Sequence, residues 1–120
     1  DIEIRVERDE SMGDAVAVGR EISRSNLLKG AINGQDPNWG RVLSAIGTTS
    51  AQFEPDAVDV AINGVWVCKA GSIGESRDLV DMSERVVRIT VNLGAGLEQA
   101  TLWTNDLTAD YVHENSAYAT

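Results

Sequence analysis

The chain has 120 residues, a length that fits one domain, with ordinary apolar and charged fractions (42% and 24%) that exclude a disordered chain. Nineteen acids against ten bases leave a net charge of −9, which gives no electrostatic attraction to nucleic acid or to an anionic membrane surface. The lone cysteine, Cys68, cannot form an internal disulfide, a usage that suits a reducing, cytoplasmic compartment.

The opening residues Ile2, Ile4 and Val6 alternate with Glu3, Arg5 and Glu7, as a half-buried strand does. This start carries neither a basic segment nor an apolar one, so it is no signal peptide. Its abruptness is that of a chain cut from a longer one. Ser11 is a cap for the next segment, with Asp14 where a capping box places an acid. Met12, Ala15, Val16, Gly19 and Ile22 share one helical face, which predicts a helix over 11–25.

Leu27 to Ile32 reads as a short strand or a tight connector, closed by Asn33-Gly34. The best-marked helix follows. Asp36 is placed to cap it, with Pro37 in the first helical position, where its missing N–H costs nothing. Trp39, Val42, Leu43 and Ile46 keep the spacing of a buried helical face, and Gly47 supplies the stop.

Val58, Val60 and Ile62 alternate with polar or small residues, and Asn63-Gly64 is a two-residue hairpin signal leading to a partner strand over 65–69. Residues 71–82 read as a polar loop. Val87, Ile89, Val91 and Leu93 mark another strand, turned by Gly94-Ala95-Gly96 into a strand over 100–104. A last helix is expected over 108–115, capped by Asp106 or Thr108. About five strands and about three helices, without βαβ regularity, make an α+β domain.

Spacing rules alone find little chemistry. His113, with Asp110 and Ser116 nearby, is three polar residues on one short segment and reads as a surface histidine. No His, Cys, Asp and Glu set has metal-ligand spacing. The glycines at 71–74 and 94–96 do not join a strand to a helix as phosphate loops do, so they are turns.

Two stretches say more. One is Asp36-Pro37-Asn38-Trp39-Gly40-Arg41, preceded by Asn33-Gly34; the other runs from Asp106-Leu107-Thr108 through Asp110-Tyr111-Val112 and Asn115 to Tyr118 and Thr120. Together they resemble the ornithine acetyltransferase (glutamate N-acetyltransferase) family, which carries a G-x-D-P-N-W-G-R motif and ends in a pattern like D-L-T-x-D-Y-V-x-x-N-x-x-Y-x-T. The resemblance extends over most of the chain. It implies a β-grasp-like, two-layer domain with a mixed sheet, the C-terminal domain of the family's β chain.

Members of that family move an acetyl group from N-acetylornithine to glutamate, and some also accept acetyl-CoA. The precursor cuts itself before a threonine, which becomes the nucleophile of an acetyl-enzyme. That threonine is absent here, so the resemblance implies a chain that is catalytically incomplete alone. Its partners would be the rest of the β chain, the α chain and the two small substrates, with neither metal nor other cofactor.

Two family binding positions fall on Asn115 and Thr120. An asparagine amide offers donor and acceptor to an amino-acid substrate, while a terminal threonine offers a hydroxyl and a carboxylate. Read structurally, Asn115 is a helix C-cap and Thr120 a frayed end. Within Asp36–Arg41, capping and packing account for most residues, and Arg41 is the member free to hold a substrate carboxylate. Asn105 departs from the cysteine common among relatives, and His113 and Glu114 stand at variable positions. Two competing readings remain: a binding or scaffold module of the same ancestry, and a homologue acetylating a related amino acid.

Overall fold

A computed structural model describes residues 1–49, 51, 53–105 and, as backbone, 112–114. Its strands are β1 (Ile2–Asp9), β2 (Asp59–Ile62), β3 (Val65–Lys69), β4 (Ser72–Ile73), β5 (Val87–Asn92), β6 (Glu98–Thr104) and β7 (Val112–Glu114). Its helices are α1 (Met12–Arg24), α2 (Asn26–Asn33) and α3 (Trp39–Ile46). The strands form one mixed sheet in the order β4-β3-β2-β5-β1-β6-β7. At its centre β1 runs parallel to β5, with Ile2 opposite Val87, and antiparallel to β6, with Ile4 opposite Leu102. Helices cover one face, giving the expected α+β, two-layer arrangement.

The alternation read from the sequence explains the layering. Ile2, Ile4 and Val6 are buried beside Ile89, Val91, Ala100 and Leu102, and they meet Ala15, Val18 and Ile22 of α1 and Val42 and Ile46 of α3 in one core. Each such fully buried Ile or Leu contributes about 1.5–3 kcal/mol relative to exposure. Gly19 lets α1 lie close against β6, since a Cβ there would collide with the Leu102 side chain. The opposite face carries Glu3, Arg5, Arg88 and Thr90, with Arg88 Nε 3.6 Å from the Glu3 carboxylate.

The α1 helix begins as expected, with Ser11 Oγ accepting the Asp14 N–H at 3.0 Å. The hairpin at 63–64 is also present, both residues having the positive φ (50° and 85°) that a type I′ turn needs.

Four expectations need correction. Residues 27–32 are neither strand nor connector but part of α2, which Ser25 caps by accepting the Leu28 N–H at 3.1 Å. Leu28, Ala31 and Ile32 make its buried i, i+3, i+4 face, a signal only one turn long and blurred by the adjacent Leu27. Asp36 does not cap α3, nor does Pro37 start it: Asn38 is the cap, its Oδ1 accepting the Arg41 N–H at 3.1 Å.

The loop over 71–82 contains the two-residue strand β4 and a single 3-10 turn at Arg77–Leu79. Finally, 112–114 are strand rather than helix, because β7 takes up the free backbone edge of β6, with His113 opposite Trp103. The rest of the expected last helix, 108–111 and Asn115, lies outside the described residues.

Candidate functional site

The motif from Asp36 to Arg41 sits where the end of α2, the start of α3 and the loop after β4 converge. The Asp36 N–H donates to the Ala31 carbonyl at 2.8 Å, which closes the C-terminal turn of α2. Its carboxylate then turns two ways. Oδ1 accepts Arg77 Nη2 at 2.6 Å, and Oδ2 accepts Asn38 Nδ2 at 3.2 Å. Asn38 thus uses both ends of its amide, one on Asp36 and the other on the first turn of α3.

Arg41, the residue singled out for a substrate carboxylate, instead donates from Nη1 to the Leu27 carbonyl of α2 at 2.6 Å. Trp39 packs half-buried against the core. The motif is therefore a clasp that ties two helices to the sheet's far edge. A cleft of about 610 Å³ opens beside it, lined by Asn38, Trp39, Val67, Ile73, Ser76 and Arg77. Ile73, which lines the cleft, is 81% exposed and gives it an apolar edge.

The lone cysteine is not activated as a nucleophile. Burial pushes the Cys68 thiol up from its ordinary range, and its Sγ donates to the Val58 carbonyl at 3.8 Å. Such a thiol is a poor nucleophile. The Asp81 carboxyl is held below its ordinary range by the hydroxyl and N–H of Ser83, a local turn at the surface. Among the described residues no group of three His, Cys, Asp or Glu side chains could hold a metal, and no helix is long and apolar enough to cross a membrane. Asn115 and Thr120 lie outside the described residues; β7 ends immediately before Asn115.

Residues 1–120 match the model of the ArgJ family along their whole length. The chain belongs to the ArgJ family.

Within that family it is 68% identical over 119 residues to the arginine biosynthesis bifunctional protein ArgJ of Streptomyces avermitilis, covering 99% of this chain and 31% of that protein. The corresponding protein of Thermobifida fusca is 60% identical over 119 residues, again 99% of this chain and 31% of the relative. The crystal structure of the arginine biosynthesis bifunctional protein ArgJ of Bacillus halodurans superposes with a TM-score of 0.82 at 33% identity, covering 92% of this chain and 54% of that one. The ArgJ relationship thus accounts for the fold as well as the motifs. The chain spans about a third of the length of the curated relatives it matches.

Proposed function

We propose that this chain is the C-terminal domain of the β chain of a glutamate N-acetyltransferase, and that it helps bind the amino-acid substrates. The observation that carries the reading is the ArgJ match over residues 1–120 together with 68% identity to a protein named for arginine biosynthesis.

In the proposed reaction a threonine outside this chain attacks the acetyl carbonyl of N-acetylornithine. Ornithine leaves as the free amine, and the glutamate amine then takes the acetyl group from the threonine ester. Donors outside this chain would stabilise the oxyanion. The domain's own contribution would come from Asn115 and Thr120, whose amide and hydroxyl suit the charged, hydrogen-bonding ends of ornithine and glutamate. The chain would work in the cytoplasm, in an assembly with the rest of the β chain and the α chain, without metal or other cofactor. Acetyl-CoA is the second acetyl donor to assay.

The test is acetyl transfer from N-acetylornithine to glutamate by the complete protein, repeated with Asn115→Ala and with Thr120 removed. Losing one hydrogen bond to a charged substrate group should lower kcat/KM roughly ten- to a hundredfold in each variant while the fold is kept. An active parent whose variants equal it would refute the binding assignment. A correctly folded but inactive parent would refute the glutamate N-acetyltransferase reading and favour an altered acceptor or a binding module.

A further inference from the structure

The corner between β1 and α1 holds a carboxyl group that is only half satisfied by the described residues. Strict alternation from Ile2 through Val6 would turn residue 8 inward, and residue 8 is an arginine. The strand avoids this with a register shift between Val6 and Asp9, and with Arg8 at φ +55°. Arg8 thereby faces solvent and Asp9 turns inward, where it is 0% exposed.

Asp9 Oδ1 accepts the Glu10 N–H at 2.6 Å, but Oδ2 is buried with no hydrogen-bond partner among the described residues. The corner cannot easily open to admit one. Ala95 and Gly96 both donate their N–H to the Arg8 carbonyl, at 2.8 and 3.0 Å, and a Cβ on Gly96 would strike the Asp9 carbonyl.

The charged groups around Asp9 are of the wrong sign to help it. Glu10 follows it, Asp14 stands in the first turn of α1, and Glu98 lies opposite in the register with β6. The adjacent base, Arg8, is exposed, and among the described residues no Arg or Lys is ion-paired with Asp9. An ionised carboxylate in this position would face a desolvation penalty and two or three like charges.

We propose that Asp9 is kept as the neutral acid in the folded protein, and that its ionisation as pH rises loosens the corner between β1 and α1. Burial acts most strongly to raise the group above the ordinary carboxylate range, opposed by the N–H groups of Glu10 and Ser11 and reinforced by the charges of Asp14 and Glu10. The sign follows from linkage. Below the ordinary Asp pKa both closed and open corners carry the proton, so closure does not depend on pH. Between that value and the raised folded value the open corner loses its proton first, and the opening constant grows about tenfold per pH unit before levelling off. This property is inferred without Asn115 or Thr120, so it does not depend on the acetyltransferase reading.

Hydrogen exchange of the complete protein, measured from pH 3.5 to pH 8 and corrected for intrinsic exchange rates, tests the proposal. Amides of 8–14 and 95–96 should lose protection progressively with pH, while those of β5 keep theirs. Asp9→Asn should abolish the trend and raise the thermal unfolding temperature, by an increment that widens as pH rises. Uniform protection across this range in the wild-type protein overturns the proposal, even if the variant fails to fold. So does an Asn variant that unfolds earlier than wild type at pH 8, since that would mean the ionised carboxylate is needed.

Discussion

Two aspartates stand at the approaches to two helices, and the fold treats them in opposite ways. Asp36, ahead of α3, spends one oxygen on Arg77 and the other on Asn38, and it remains about a third exposed (36%). Asp9, ahead of α1, is fully buried, and one of its oxygens has no hydrogen-bond partner among the described residues. Neither caps its helix, the task falling to Asn38 and Ser11. The difference arises in the backbone before each helix. Asp36 follows a helix end whose last turn it closes, and it can reach across to another loop. Asp9 is rotated inward by a bulge whose benefit is to keep Arg8 out of the core.

Substitutions can sharpen that contrast. The largest effect is expected for Gly96→Ala, because the added methyl meets the Asp9 carbonyl, a backbone atom that cannot swing away. The cost should be about 1–3 kcal/mol, read as a lowered denaturation midpoint with unchanged m-value. Asn38→Ala comes next. It removes the cap of α3 and one partner of Asp36, and it should destabilise by about 1–2 kcal/mol in the same measurement. If Asn38→Ala proves neutral, the clasp is held by packing of Trp39 rather than by its hydrogen bonds. The smallest effect belongs to Arg77→Ala. This ion pair is short but its arginine side chain is 57% exposed, so its contribution should stay below about 1 kcal/mol and shrink with added salt in thermal melts.

How far the sequence discloses these features depends on the length of each signal. About three turns of apolar spacing and a serine cap make α1 plain, and Asn63-Gly64 between alternating runs makes the β2–β3 hairpin plain. The α2 helix is hidden because the apolar part of its buried face is Leu28, Ala31 and Ile32, and a single residue, Ser25, separates it from α1. The short strands β4 and β7 have too few residues to show any period, and they exist because neighbouring strands offer them an edge. The sequence points to Asp36 as a cap because aspartate caps well; only the position of Arg77, 41 residues later, reveals the competing use. Asp9 is less visible still, since nothing in Arg8-Asp9-Glu10 marks a bulge. The proposed binding role of Asn115 and Thr120 rests on family resemblance alone, since no local pattern in the sequence marks them.

The central pairing of the sheet also bears on how the chain is made. Strand β1 finds both of its neighbours in the last third of the sequence, Val87 across from Ile2 on one side and Thr104 on the other. A ribosome adding about 5–20 residues per second would leave this apolar strand without its sheet neighbours for roughly 4–17 seconds. Nascent β1 is therefore the segment most in need of shelter, by a chaperone or by the helix that follows it, and its flanking Glu3, Arg5 and Glu7 give it charge against self-association in that interval.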